Sequence, residues 1–162
     1  MNKHNKNEYH LPFEIELLFD NKKLELFQYL VILYFCLKDR QQRKLSLEQL
    51  LYYYTVIFFE KDFTKIPLIF KYNKDKSKIN EILIVLSNLH YIEVGGNMTT
   101  SIKNLKFSIS KQGIEFIEGI ESPILENYFE ATREVIQKRP YEKDSIYFNK
   151  LLYKGDDINE SE

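Results

Sequence analysis

Tryptophan is absent from this 162-residue chain, alanine occurs once (Ala131) and cysteine once (Cys36). A single cysteine cannot close an intramolecular disulfide, and Cys36 sits inside an apolar run. It reads as a small buried hydrophobe in a reducing compartment. Five glycines and four prolines exclude collagen-like and low-complexity chains. No Cys or His pair has metal-ligand spacing. No glycine-rich phosphate loop exists either, because Gly95-Gly96-Asn97 has the form of a hairpin turn. The longest apolar run, Tyr29 to Leu37, is far short of the ~20 residues that span a bilayer. The polar start, Met1 to Glu8, is not followed by a signal-peptide core. These absences point to a soluble cytoplasmic protein that needs no membrane, metal or cofactor.

What is present in excess is aromatic: twelve Tyr and twelve Phe, with many Ile, Asn and Lys. Codon bias of an AT-rich genome accounts for the total. The functional alternative is an interface, where Tyr and Phe are enriched. The length suits one domain that buries its own core. Formal charge is −1 overall but unevenly spread: net +1 over residues 1–59, +4 over 60–111 and −6 over 112–162. The middle third can face a polyanion, which the last third would repel.

Residues 1–12 form a polar lead, and Phe13 to Phe19 leans to helix. Leu24, Phe27, Leu30, Val31, Tyr34 and Leu37 mark a helix, thickened by Ile32, Leu33 and Phe35 until it is apolar nearly all round, which implies burial on most sides. After a polar connector, Ser46 with Gln49 forms a capping box. A second helix runs from Leu47 to Phe59 with Leu50, Leu51, Tyr54, Ile57 and Phe58 inward. Pro67 and the stretch Lys71 to Lys78 read as a loop, followed by a helix at Ile79 to Leu89. The period then changes: Tyr91 to Val94 and Ile102 to Ile109 read as the two strands of a hairpin. Ser110 or Lys111 opens a helix to Gly119. Ser122-Pro123 is an N-cap with proline at the first helical position, and that helix reaches Lys138. Asp144 to Tyr153 reads as a last short helix, and residues 155–162 as an acidic disordered tail.

Helix, helix, helix, hairpin, helix is the order of a winged-helix domain, a mainly α fold with a small β-hairpin (α+β). Two stretches carry the resemblance. Ile82 to Ile92 (ILIVLSNLHYI) resembles the third helix of such domains entering the wing, and Phe107 to Ile117 (FSISKQGIEFI) resembles the exit from the wing into a closing helix. On this reading residues 13–121 are the winged-helix domain, and residues 122–154 are C-terminal helices that pack on the domain or on a partner. More narrowly, the chain resembles the winged-helix middle component of bacterial ABC three-component antiphage defence systems, the Lamassu type included. In outline it also resembles winged-helix accessory subunits of condensin-like SMC-like ATPase complexes. The resemblance implies a non-catalytic subunit held between an SMC-like/ABC ATPase and an effector protein.

The residues themselves offer two candidate surfaces. Tyr52-Tyr53-Tyr54 point in directions about 100° apart on a helix, so at least one is expected to face solvent. Tyr52 and Tyr53, with Tyr128, Phe129 and Tyr147, are the candidate partner-binding residues. Lys71, Lys74, Lys76 and Lys78, with Lys103 and Lys106 of the wing, are candidate DNA-phosphate contacts, against the plainer reading of a solvated lysine loop. The third helix offers no Arg for guanine, which disfavours base readout. The alternative function is therefore a winged-helix DNA-binding regulator or replication initiator making non-specific DNA contacts, and a homodimer is a third arrangement. No enzyme is expected: His4 and His10 lie in the lead, His90 reads as a cap or surface residue, and Glu115, Glu118, Glu121, Glu126, Glu130 and Glu134 form a solvated face.

Overall fold

A computed structural model describes residues 21–61, 68–96, 101 and 104–141. The expectations for the lead 1–12, the Phe13–Phe19 segment, Lys103, the Asp144–Tyr153 helix with Tyr147, and the tail 155–162 lie outside these residues. Among the described residues the chain is mostly helical, with a small antiparallel sheet, as expected for the α+β class. The order is α1 (Asn21–Arg40), β1 (Leu45–Ser46), α2 (Leu47–Lys61), α3 (Leu68–Asn88), β2 (Ile92–Gly95), β3 (Lys106–Ile109), α4 (Lys111–Glu118) and α5 (Pro123–Lys138).

Local chemistry sets most of the boundaries. The Ser46 hydroxyl accepts from the Gln49 N–H at 3.2 Å and the Gln49 side chain accepts from the Ser46 N–H at 2.9 Å, a closed capping box at the start of α2. α3 ends in a Schellman motif. The His90 N–H reaches the Ser87 carbonyl at 3.0 Å and the Tyr91 N–H reaches the Leu86 carbonyl at 3.1 Å, while His90 adopts a left-handed φ of 61°. His90 is thus the cap residue that turns the chain into the hairpin. Gly96, with φ 140°, makes the turn after β2. The Ser110 hydroxyl accepts from the Gly113 N–H at 3.0 Å to open α4 and donates to the His90 carbonyl at 2.6 Å. Gly113 is required there, because a Cβ would stand 2.3 Å from the Tyr91 carbonyl oxygen. The Ser122 hydroxyl accepts from the Leu125 N–H at 3.3 Å, with Pro123 opening α5.

Two sequence expectations are corrected. Lys71 to Lys78 is not a loop: α3 begins at Leu68, and those lysines lie on its first turns. Its inward line there is Tyr72, Asp75 and Ile79; Asp75 is 4% exposed, so a buried carboxylate takes the place of an apolar residue and hides the period. The sheet also has three strands rather than two, in the order β1-β3-β2. Leu45 pairs with Phe107 and Ser46 with Lys106 on one side of β3, and Ile92 pairs with Ile109 and Gly95 with Lys106 on the other. A two-residue strand leaves no alternation to read, and its identity comes from the partner.

α1 is the axis of the core. Its residues Tyr29 to Cys36 are all buried, and it contacts α2, α3, α4, α5 and β3. α5 belongs to the same core, with Leu125, Thr132 and Ile136 buried against it. Polar clamps pin α4 and α5 to α1. Arg133 grips Asp39 through two hydrogen bonds of 2.9 Å, the Arg40 guanidinium donates to the Ile136 carbonyl at 3.3 Å, and the Tyr34 hydroxyl donates to Glu118 at 3.0 Å. No described helix is long and apolar enough to cross a membrane. Cys36 is buried, and burial pushes its thiol up to about 12, so it stays protonated and inert at neutral pH.

Candidate interaction surfaces

The expectation of a solvent-facing tyrosine on α2 is not met. Tyr52 and Tyr53 are each 1% exposed and Tyr54 is 7% exposed. The three directions are real, but a different element meets each one. The Tyr52 hydroxyl donates to the Arg139 carbonyl at 3.1 Å and its ring packs edge-on against Tyr141, 5.3 Å between centroids. The Tyr53 hydroxyl accepts from the Tyr141 N–H at 3.0 Å. Tyr54 stacks on Tyr29 of α1 at 4.4 Å. Burial raises the phenol pKa of Tyr29, Tyr53 and Tyr54, and the nearby Asp75 raises those of Tyr29 and Tyr54 further, so all three remain neutral. The Tyr29 hydroxyl is buried with no hydrogen-bond partner among the described residues. Tyr52 and Tyr53 therefore hold the segment after α5 onto α2 and do not offer themselves to a partner.

Tyr128 and Phe129 on α5 are half-buried. They close over Phe27 of α1 at 6.1 and 5.8 Å, and Phe129 meets Phe35 at 6.1 Å. Only their outer edges reach solvent. The glutamates Glu126, Glu130 and Glu134 of α5 are exposed, and so is Ile124 in its first turn, at 69%. Three further large apolar side chains are exposed on earlier elements: Ile84 on α3, Leu89 in its cap and Val94 on β2, at 60%, 46% and 43%. Ile84 and Ile124 fall off the inward line of their helices, whereas Val94 shares the strand face of buried Ile92 and Leu89 follows the apolar spacing of α3, so the exposure of these two departs from what periodicity predicts.

The lysines behave differently from the tyrosines. Lys74, Lys76 and Lys78 are exposed on α3, and among the described residues no ion pair engages them. Lys71 lies in the same helix. Lys106 is exposed on β3, between Ser46 of β1 and Gly95 of β2. Lys44, which by sequence belongs to a connector, comes close to it: its ammonium lies 3.8 Å from where a Cβ on Gly95 would stand. With the exposed Arg43 beside it, the base of the hairpin carries a small basic group assembled by the β1–β3 pairing. Among the described residues no group of three or more His, Cys, Asp and Glu side chains is placed to hold a metal ion. No protein-family model, curated protein or solved structure matches this chain.

Proposed function

We propose that this protein is a non-catalytic accessory subunit of an SMC-like/ABC ATPase complex of the antiphage-defence type, bridging the ATPase and an effector protein through protein–protein contacts. The observation that carries this reading is the set of exposed apolar side chains on different elements: Ile84 on α3, Leu89 in its cap, Val94 on β2 and Ile124 on α5. A bridge needs two surfaces, and exposed apolar side chains on different elements supply the anchors such surfaces use. The order helix, strand, helix, helix, hairpin, helix supports the winged-helix identity on which the family resemblance rests. The tyrosines of α2 play no direct part, and Tyr128 and Phe129 contribute only their outer edges.

Affinity purification of the full chain from its native host tests the reading. The expected result is co-elution of an ATPase and a second protein, with Leu89→Glu/Val94→Glu releasing one and Ile124→Glu releasing the other. Recovery of a free monomer from host lysate overturns it.

A further inference from the structure

The charge that the sequence divides between its middle and its last third is also divided in space. α3 and α5 each pack against both α1 and α2, and among the described residues they share no extended contact with each other. The α1–α2 pair therefore lies between them. Both helices turn their apolar lines towards that pair, so their outer faces point away from each other. The outer face of α3 carries Lys74, Lys76 and Lys78 around the polar line Asn73, Ser77 and Asn80, all exposed. No ion pair engages these lysines among the described residues, and Glu81 is the one exposed acid there. The outer face of α5 carries Glu126, Glu130 and Glu134 with the polar Asn127. The two cations of α5 are committed within the molecule, Arg133 to Asp39 and Lys138 to Glu134. Glu126 and Glu130 are thus left without an ion pair among the described residues.

We propose that copies of this chain associate head to tail, the lysine face of α3 in one copy docking on the glutamate face of α5 in the next. Lys74 and Lys78 stand four residues apart on α3, and Glu126 and Glu130 four residues apart on α5. Each pair spans about 6 Å along its axis, so two ammoniums meet two carboxylates when the helices lie side by side. Because the two faces look in opposite directions on one copy, the contact does not close into a two-fold dimer. It builds a ring or an open row in which each inner copy uses both faces. A net charge of −1 leaves little overall repulsion between copies to oppose this. Duplex DNA is the competing occupant of the lysines. It is disfavoured because the net −6 over residues 112–162 repels it, whereas in a second copy that same charge is the attraction. The inference does not rest on the accessory-subunit reading: it concerns the purified chain alone, and its failure leaves capture of partners from host lysate as it was.

The test is sedimentation equilibrium of the full chain over a concentration series at ~10 mM and ~1 M salt, where the Debye lengths are about 30 and 3 Å. At low salt the weight-average mass should rise with concentration and pass that of two copies; at high salt it should fall to that of one. Lys74→Glu/Lys78→Glu and Glu126→Lys/Glu130→Lys should each weaken self-association by about tenfold or more. An equimolar mixture of the two variants should restore it, because each face of one then meets its opposite on the other. Circular dichroism melts of each variant, unchanged because every substituted side chain is exposed, separate these effects from unfolding. A monomer at low salt, whether or not it binds DNA, a mass that stops at two copies, or a mixture no larger than its components overturns the proposal.

Discussion

α2 and α3 both carry an outwardly conspicuous run, three tyrosines on one and a series of lysines on the other, and the fold treats them in opposite ways. α2 is surrounded: α1, α3, α5 and β1 all contact it. Each tyrosine therefore points at a neighbour, and the hydroxyls of Tyr52 and Tyr53 end on backbone groups of Arg139 and Tyr141. Among the described residues α3 is covered on one side only, so Lys74, Lys76 and Lys78 are exposed while Asp75 and Ile79 turn inward. A tyrosine can be interior when a backbone partner waits for its hydroxyl, whereas an ammonium without a partner cannot. The number of neighbours around a helix decides whether its polar atoms are inside the molecule or available to others.

The contrast between the two helices is broken most severely by truncating a tyrosine. Tyr53→Ala removes a fully buried ring and should cost about 3–5 kcal/mol in urea unfolding. Tyr53→Phe keeps the ring and leaves the Tyr141 N–H without its acceptor, at about 1 kcal/mol. The triple variant Lys74→Gln/Lys76→Gln/Lys78→Gln on α3 should stay within about 0.5 kcal/mol of the parent. Equal destabilisation from the two helices would show that α3 is also covered.

The next largest effect belongs to the junction that ties α4 to the end of α3. Gly113→Ala places a methyl group 2.3 Å from the Tyr91 oxygen and 2.8 Å from the Ile109 side chain. Backbone must move, so a loss of about 1–3 kcal/mol is expected by thermal melting. An unchanged melting temperature would mean that α4 can swing away from the hairpin.

The smallest effect is the surface clamp of α1 on α4. The hydrogen bond and ion pair from Lys38, together with the Tyr34 hydroxyl, hold the Glu118 carboxyl below the usual carboxylate range. Lys38, bonded to Tyr34 and Glu118, is raised to about 12. A depressed carboxylate pKa gives stability that is present above the unfolded-state value and lost as pH falls through the folded-state value. A raised lysine pKa gives stability that is present below the unfolded-state value and lost as pH rises towards about 12. Both groups are exposed and screened, so the pair matters little at neutral pH. In melts recorded across an acid series, Glu118→Gln should lose part of the acid-side decline of the parent. Parallel curves for the two proteins would show that the clamp contributes nothing to stability.

Much of the fold was legible before any tertiary information. The apolar girdle of Leu24 to Leu37, the Ser46–Gln49 capping box and the Ser122-Pro123 start are local signals, and each appears where the residues place it, whereas of the Gly95-Gly96 pair only Gly96 has a positive φ and Gly95 belongs to β2. Two signals failed for identifiable reasons. Asp75 occupies an inward position of α3 and interrupts its apolar period, so two turns of helix read as a loop. β1 is two residues long and exists as a strand only because Leu45 and Ser46 meet Phe107 and Lys106. The candidate surfaces were less legible than the fold. The lysines of α3 were visible as a charge excess, but their place on an exposed helix face needed the helix. Ile84, Leu89, Val94 and Ile124 stand out only once the apolar side chains around them have been placed inside.

The sequence by itself determined most of the described helices (the first turns of α3 excepted), where most of them begin and end, and that the charge is divided between a basic middle and an acidic end. These depend on residues within a turn or two of one another, through capping, periodicity and turn chemistry. Only the tertiary structure decided which side of each helix is interior. That choice depends on how many elements surround the helix and on whether a distant carbonyl or N–H is present to receive a buried hydroxyl. It moved the tyrosines of α2 out of reach of a partner and left the lysines and asparagines of α3 on the outside.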